Sequence, residues 1–309
     1  MWWLWLSVGL LGVIVLTLAV LWIVGERGRI FGLPSTRAAI TGSGGVARVR
    51  LSLKAVHGYI YGRWVNEYIS FAIHTLLPRM GPRFKRWWAD RYHGKVLTHE
   101  LARAIITLDH EIPRTDLEQI IPYPTAREIV LQGPPQVTVI ECPCRAAREN
   151  PCQPTQVCMI VGDGRFVLEH HPQTSQLLTQ QEALDLLQTE HERGHVHVAY
   201  FKDACDNRFY AICNCCSCCC GGLEAMRRGV PMVASSGYVA QVNEEACAGC
   251  GECEAACPFG AITVDYVSSV NWEQCMGCGV CADICPNNAI TLALDARKGI
   301  PLDVRKIGV

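Results

Sequence analysis

Residues 247–258 read Cys-Ala-Gly-Cys-Gly-Glu-Cys-Glu-Ala-Ala-Cys-Pro, and residues 275–286 read Cys-Met-Gly-Cys-Gly-Val-Cys-Ala-Asp-Ile-Cys-Pro. Both stretches follow the pattern Cys-x2-Cys-x2-Cys-x3-Cys-Pro, and the second begins 28 residues after the first. The similarity extends beyond the cysteines, because Val-Asn precedes each run and Ala-Ile-Thr follows it. An internal repeat of this kind indicates two copies of one small structural unit.

The spacing of these cysteines suits a cluster with four irons, which needs one thiolate for each iron. Two residues between cysteines allow a tight loop to wrap the cluster, with its backbone N–H groups turned inward. Gly249, Gly251, Gly277 and Gly279 permit this close approach and the positive φ angles that it requires. Zinc also binds Cys-x2-Cys pairs, but two interlocked runs of four cysteines are not a natural zinc pattern.

Over about residues 237–294 the chain resembles the bacterial ferredoxins that bind two 4Fe–4S clusters. The resemblance implies a small α+β fold with pseudo-twofold symmetry, and one-electron transfer at low potential. In two-cluster ferredoxins the fourth cysteine of each run ligates the other cluster. The resemblance therefore implies one cluster on Cys247, Cys250, Cys253 and Cys285, and a second on Cys275, Cys278, Cys281 and Cys257.

Eleven further cysteines lie upstream of the repeat. Seven of them fall within the sixteen residues from Cys205 to Cys220, which is more than core packing requires, and unprotected they would oxidise readily. Such close spacing suits a metal centre better than the disulfide scaffold of a small secreted protein. The candidate ligands are Cys142, Cys144, Cys152, Cys158, Cys213, Cys215, Cys216, Cys218, Cys219 and Cys220.

We predict that this upstream module holds one further Fe–S cluster, or two, with Arg145 offsetting the negative charge of the thiolates. A structural zinc site with spare thiols is the alternative, and a redox disulfide is a third. The layout over residues 120–227 resembles the cysteine-rich extension ahead of the dicluster domain in some ferredoxin-like proteins of anaerobes. His195 and His197 would share one face of a strand, where they either supply a ligand or are solvated.

The N-terminus begins with 23 uncharged residues, from Trp2 to Val24. As a helix this run would be about 34 Å long, enough to cross a hydrocarbon core of about 30 Å. No basic residue precedes it and no Ala-x-Ala site follows, which favours a retained transmembrane helix over a cleaved signal peptide. A buried core helix fits less well, because the run is apolar on every face. Arg27, Arg29 and Arg37 follow the run and predict a single-pass membrane protein with cytoplasmic C-terminal domains.

The net charge of −1 conceals a strong asymmetry along the chain. Residues 26–103 contain fourteen Lys/Arg and four Asp/Glu, whereas residues 237–296 contain eight Asp/Glu and no Lys/Arg. The mixture of basic residues and tryptophans at 83–91 suits an anionic membrane surface, ahead of nucleic acid or a plain solvated face. Membrane lipid and a redox protein with a basic docking patch are the predicted partners, and no nucleic acid is expected. The candidate docking residues are Glu244, Glu245, Glu252, Glu254 and Glu273.

These observations predict an α+β chain in four parts. A transmembrane anchor (1–25) leads into a basic, mainly helical membrane-proximal region (26–135), which contains the flexible linker 41–45. An α/β cysteine-rich module (136–236) and the dicluster domain (237–309) follow. The favoured function is a membrane-anchored electron carrier between cytoplasmic redox partners or a membrane redox complex. The alternative is an Fe–S oxidoreductase whose upstream module reduces a substrate such as a disulfide. No catalytic residue is predicted, since the sequence offers neither a nucleotide-binding loop nor a nucleophile–base set.

Overall fold

The structure, a computed structural model, describes residues 2–41, 53–114, 117, 120–123, 129–131 and 133–307. Of the linker predicted at residues 41–45, only Thr41 is described, as the last residue of a helix. Residues 42–45 lie outside the described part of the chain.

The described chain is a mixture of short helices and strands. The α-helices are α1 (Trp2–Gly25), α2 (Pro34–Thr41), α3 (Leu53–Arg63), α4 (Val65–Phe71), α5 (Pro82–Arg91), α6 (His99–Ile106), α7 (Pro143–Ala146), α8 (Arg165–His170), α9 (Gln180–Glu192), α10 (Gly221–Arg227), α11 (Glu252–Ala256) and α12 (Val280–Asp283). The strands are β1 (Tyr92–Leu97), β2 (Ile112–Arg114), β3 (Ile129–Leu131), β4 (Val137–Glu141), β5 (Gln156–Val161), β6 (Ser175–Leu178), β7 (Val196–Lys202), β8 (Arg208–Cys215), β9 (Val233–Ala234), β10 (Tyr238–Val242), β11 (Ile262–Val264), β12 (Ser268–Val270) and β13 (Ile290–Leu294). A π-helical turn (Ala72–Leu76) and 3-10 turns (Leu77–Arg79, Asp203–Cys205, Ala296–Lys298, Val304–Lys306) complete the description.

A seven-stranded sheet organises the middle of the chain, in the order β6-β4-β5-β8-β7-β1-β9. Neighbouring strands are antiparallel, except that β9 runs parallel to β1. Strand β1 comes from the region predicted to be mainly helical, so the sheet draws on both sides of the boundary expected between residues 135 and 136.

Both faces of the sheet are covered, which explains why every residue of β7 is buried. On one face Ala199 and Phe201 pack with α6 and α9. On the other face Val196, Val198 and Tyr200 pack with residues of α10 and of the ferredoxin-like repeat. Side chains alternate along a strand, so one run of apolar residues serves two cores.

Local signals in the sequence place several of these elements correctly. Thr179 and Glu182 have the spacing of a capping box and form one, and α9 ends at Glu192, just before Gly194. The apolar run at 137–140 is part of β4. The apolar stripe from Val65 to Leu77 forms α4 and continues through the π-helical and 3-10 turns.

The C-terminal repeat folds as two small two-stranded sheets, β10 with β13 and β11 with β12, and each cysteine run leads into a short helix, α11 or α12. Its own core is small and includes Cys253, Cys275 and Cys281. The chain then leaves this unit, because Leu302 and Val304 are buried in the core between the sheet, α6 and α9.

The N-terminal segment requires a correction. Among the described residues, no helix is long and apolar enough to cross a membrane, so the predicted transmembrane helix and the single-pass membrane localisation are wrong. The cytoplasmic orientation rested on that span and loses its basis with it. Part of the uncharged run is used in tertiary packing, since Trp22 stacks on Tyr59 with ring centroids 5.7 Å apart and Arg63 Nε donates to the Gly25 carbonyl at 2.7 Å.

A buried carboxylate holds the turn after α1. Glu26 accepts hydrogen bonds from the backbone N–H of Leu33 and, at 3.0 Å, from Thr36 Oγ1. Burial opposes the charge of Glu26, but these hydrogen bonds outweigh it, and the pKa of this carboxyl lies below its ordinary value. The basic segment after α1 is therefore packed around an acidic residue.

Candidate iron–sulfur sites

The cysteines of the repeat occupy loops that lead into α11 and α12. Four of them line a single cavity, and Cys257 of the first run lies there with the first three cysteines of the second run. This arrangement matches the crossing of ligands that the resemblance implies. We call the two groups set one (Cys247, Cys250, Cys253, Cys285) and set two (Cys257, Cys275, Cys278, Cys281).

The glycines of the two loops have the backbone conformation that the sequence predicts. Gly249 and Gly277 have φ angles of 61° and 62°, and Gly251 and Gly279 have φ angles of 82° and 94°. At Gly277 a side chain would also collide with the backbone oxygen of Tyr238. The loops therefore need glycine both for their left-handed backbone and for close packing.

Backbone N–H groups point at the sulfur atoms of the repeat. Ala261 N donates to Cys257 Sγ at 3.3 Å, and Ala289 N donates to Cys285 Sγ at the same distance. Ser268 N donates to Cys247 Sγ at 3.4 Å. Thiolates carry negative charge when they bind iron, and such donors stabilise it. The residues present therefore fit 4Fe–4S clusters.

The two sets differ in their exposure to solvent. In set one Cys250 is exposed, and the Ser268 backbone N–H lowers the pKa of the Cys247 thiol. In set two Cys275 and Cys281 are buried, and burial raises the pKa of Cys278 to about 12. Set one is therefore the more exposed of the two, although its Cys253 is buried.

The upstream cysteines form two groups that the sequence does not separate. The buried set lines a cavity between α7, strands β5 and β8, and the start of α10. Cys158 Sγ and Cys213 Sγ lie 3.6 Å apart within it. Its members are Cys142, Cys144, Cys158, Cys213, Cys215 and Cys220. Cys216 lines the same cavity, but its sulfur also lies with those of Cys152 and Cys218, so we count it with the second group.

The second upstream group lies nearer the surface. The sulfur atoms of Cys152, Cys216 and Cys218 all lie within 4.8 Å of one another. Cys219 belongs with them, because its sulfur is 3.4 Å from Cys218 Sγ and accepts the Cys152 N–H at 3.3 Å. We call these four residues the outer set. Four thiolates at such distances can hold either a cluster or a zinc ion.

The thiols of the buried set are close enough to form hydrogen bonds with one another, and these hydrogen bonds shift their pKa values. A hydrogen bond from Cys144 lowers the pKa of Cys142, and hydrogen bonds from Cys213 and Cys220 lower the pKa of Cys215. The pKa values of the donating thiols rise in turn. Thiols buried in this way are poor nucleophiles but can lose their protons to a metal. A ligand role therefore suits them better than covalent catalysis.

Arg145 lies between the two upstream groups and is almost fully buried. Its Nη2 donates to Glu190 Oε2 at 2.8 Å and to the Asn214 carbonyl at 3.2 Å. The predicted positive charge beside the thiols is present, but Glu190 already neutralises much of it. The sequence analysis missed Glu190, although its place on the inward stripe of α9 with Ala183 and Leu187 is a readable signal.

His195, directly before β7, and His197, within β7, are both buried, and neither is solvated. His195 Nδ1 lies 2.7 Å from Glu190 Oε2, and His195 Nε2 lies 3.8 Å from Cys152 Sγ. His195 therefore remains a candidate ligand of the outer set. His197 points to a different group of side chains, away from these cysteines.

Cys205 stands apart from both upstream groups. It lies in the turn after β7, and burial raises the pKa of its thiol to about 12. It packs with Tyr61 and Val65, in a layer from α3 and α4 that covers part of the buried set.

One apolar cluster joins the upstream module to the repeat. Cys215, Cys220 and Tyr200 pack in it with Met276 and Val280, which alternate with the cysteines of set two. Cys213 and Cys278 are partly buried against the same cluster. The buried set and set two are therefore connected through continuous packing.

The five predicted docking glutamates are all exposed. Glu273 differs from the others, because Lys298 donates to its backbone oxygen at 3.2 Å and lies over Trp272. The acidic surface beside set one therefore consists mainly of Glu244, Glu245, Glu252 and Glu254.

Comparison with known proteins supports the C-terminal assignment. A family model described as a 4Fe–4S dicluster domain matches residues 240–292. No curated protein and no solved structure gives a significant match to the chain. The match, the paired cysteine runs and the loops that present N–H groups to sulfur lead to one conclusion: the C-terminal region is of the dicluster ferredoxin type, binds 4Fe–4S clusters and serves iron–sulfur electron transfer.

Proposed function

We propose that this chain passes single electrons between an iron–sulfur site in the upstream module and a redox partner that docks on the acidic surface of the repeat. When bound, the clusters supply one-electron transfer at low potential. The protein supplies their spacing, their insulation from water and the docking surface. The two sets of the repeat take the ligand roles that the crossing arrangement gives them.

The observation that carries this proposal is the packing between Tyr200, Cys215 and Cys220 on one side and Met276 and Val280 on the other. A soluble carrier with two clusters has no need to bury one of its cysteine sets against a second cysteine-rich cavity. Here the loop of set two packs against the upstream module, and set one is the more exposed of the two sets. This order suits a path from the buried set through set two to set one.

We assign a further Fe–S cluster to the buried set and a second thiolate metal site to the outer set. The buried set offers more than four thiols around one cavity, and Arg145 lies beside it. Arg148 positions the outer set, since its guanidinium donates to the Cys219 carbonyl at 3.1 Å and to Glu224 at 2.6 Å. Zinc remains the alternative occupant of the outer set.

Electron paramagnetic resonance of the fully reduced full-length protein tests this function. Paramagnetic centres on the two sides of the packed contact should broaden each other's signals and speed their relaxation. The double variant Cys142→Ser/Cys144→Ser should lose this broadening and leave the spectrum of the repeat alone. Cys205→Ser, outside both upstream groups, is the matched control and should keep it. A spectrum that is identical in the double variant and the wild type would refute the proposed path.

A second candidate function is favoured by a cavity of about 1240 Å³ on the other side of the buried set. Cys142, Cys144 and Cys158 line it together with the aromatic rings of Tyr61 and Phe166. Cavities for small molecules usually measure about 300–1000 Å³ and are mainly apolar. An apolar electron acceptor bound there would lie against the upstream cysteines, as an oxidoreductase requires.

The two functions can be separated with menadione, a soluble apolar quinone, added to the anaerobically reduced protein. If the cavity is a substrate site, reoxidation should saturate with menadione concentration. Val56→Trp, at the exposed rim of the cavity, should then slow reoxidation, whereas Leu177→Trp, equally exposed and outside the cavity, should not. Equal rates for both variants would favour the carrier alone.

A further inference from the structure

Three histidines from separate elements meet beside the edge of the repeat. His99 begins α6, His191 lies near the end of α9, and His197 lies in β7. One ring nitrogen from each lies within 4.8 Å of the other two. The sheet produces this meeting, because Leu97 pairs with His197 across β1 and β7, and the chain turns into α6 directly after Leu97.

The spacing of the closest pair suits coordination of one ion. His99 Nδ1 and His197 Nε2 are 3.2 Å apart. Two imidazole nitrogens bound to one zinc ion at about 2.0–2.1 Å in tetrahedral geometry lie about 3.3–3.4 Å apart. The side chains therefore need little movement to share a metal.

Asn214 fixes the proton on His197. Its Nδ2 donates to the Val157 carbonyl at 2.9 Å, which turns its Oδ1 towards His197 Nδ1 at 2.6 Å. His197 Nδ1 must then carry the hydrogen, and the lone pair of Nε2 faces His99. Metal-binding histidines commonly donate their second N–H to such an acceptor, which fixes the tautomer.

The rings are neutral and a carboxylate lies beside them, although Arg103 adds a positive charge near His99. Burial lowers the pKa of His197 to about 3 and that of His99 to about 4, so both rings are neutral near pH 7, as ligands must be. Asp283 Oδ2 lies 3.1 Å from His191 Nε2 and supplies a negative charge. Without an ion, His99 Nδ1–H can donate to His197 Nε2, and a bound metal would replace this hydrogen bond.

We propose that His99, His191 and His197 bind a divalent transition-metal ion of the zinc class, at a site built without cysteine. Imidazole nitrogen is a preferred ligand of zinc, whereas the clusters of this chain use thiolates. Three protein ligands leave a fourth position for solvent. Asp283 orients His191, and because it lies in α12 it links the metal site to the repeat.

Zinc K-edge X-ray absorption tests this proposal directly. The full-length protein, loaded with iron and purified without oxygen, is given one equivalent of Zn²⁺ and passed through a desalting column. We expect about one retained zinc per chain, with nitrogen or oxygen neighbours at about 2.0–2.1 Å and the outer-shell pattern of imidazole. Zinc with sulfur neighbours at about 2.3 Å, or no retained zinc, would overturn the proposal.

Variants locate the site. His99→Gln/His191→Gln should abolish zinc retention, while iron, sulfide and the visible spectrum stay unchanged and report an intact fold. His110→Gln is the matched control, because His110 is an exposed histidine paired only with Asp109. Asn214→Ala, which frees the His197 tautomer, should weaken zinc binding by about 10–100-fold. Equal zinc retention in the double variant and the control would refute the assignment.

Discussion

The two cysteine-rich parts of the chain differ in how they assemble a site. In the repeat, three ligands of each set come from one short loop, and only the fourth crosses over. In the upstream module, the buried set is assembled from α7, β5, β8 and the start of α10, and the large sheet pairs β5 with β8. A site built by one loop can be recognised from the spacing of its cysteines in the sequence. A site built by a sheet can be recognised only when the order of the strands is known.

The largest effect should come from removing two upstream ligands. Cys215→Ser/Cys220→Ser should lose about four irons per chain, because each iron of a cluster needs a thiolate. The 4Fe–4S clusters of the repeat should remain, with their signals narrowed by the loss of a neighbour. Iron analysis measures the loss, and Cys205→Ser should keep the full count. Simultaneous loss of all clusters would show that the two regions are not independent sites.

This contrast explains what the sequence could predict. The pattern of cysteines and glycines was sufficient to predict the dicluster type of the repeat and the backbone conformation of its glycines, because both signals are local. The same approach found the upstream cysteines but could not divide them into a buried and an outer set. That division depends on β8 pairing with both β5 and β7, and no short-range pattern encodes such pairing.

The N-terminal prediction failed for a different reason. Hydropathy describes a segment by itself, whereas Trp22 and Glu26 are held by residues far along the chain, such as Tyr59. The basic region is mainly helical where the structure describes it, but its strand β1 is paired on both sides within the large sheet, which the sequence did not indicate. Contacts between residues far apart in the sequence again determine the structure of the segment.

A smaller effect should follow from Cys257→Ser. Because Cys257 lies with set two, this change should disturb the cluster of the second run and release about one iron. The cluster bound through Cys247, Cys250 and Cys253 should keep its spectrum. Cys285→Ser should have the reverse pattern. If Cys257→Ser altered only the signals of set one, the crossing assignment would be wrong.

Glu190→Gln should destabilise the upstream module without removing a ligand. The change leaves the buried Arg145 guanidinium without its carboxylate, which typically costs about 3–5 kcal/mol. Chemical denaturation without oxygen measures the loss. Glu192→Gln, at the exposed end of the same helix, is the control and should change the free energy of unfolding little.

The pH dependence of this pair has a definite sign. Burial opposes the charge of Glu190, but hydrogen bonds from His195 and Arg145 outweigh it and hold the pKa of Glu190 below its ordinary value of 4.5. The stability that it contributes is complete above that value and disappears as the pH falls through the lowered pKa. The difference in the free energy of unfolding between the wild type and Glu190→Gln should therefore shrink as the pH falls. A difference that stays constant with pH would contradict this prediction.

The smallest effect concerns the acidic surface. Replacing Glu244, Glu245, Glu252 and Glu254 by glutamine should slow electron transfer to a basic partner by about tenfold at low salt, because electrostatic steering raises association rates by about 10–1000-fold. Added salt should remove the difference in rate between the wild type and this variant, since the Debye length is about 8 Å at physiological ionic strength. Stopped-flow kinetics with cationic cytochrome c as the probe measures it. A rate that is independent of salt in the wild type would rule out docking through this surface.

The central claim is that the upstream module holds a cluster in addition to the two of the repeat. Iron and acid-labile sulfide per chain, measured on full-length protein purified without oxygen, test it most directly. The account predicts about twelve irons with equal sulfide, or about sixteen if the outer set also binds a cluster rather than zinc. About eight irons would confine the clusters to the repeat and contradict the account.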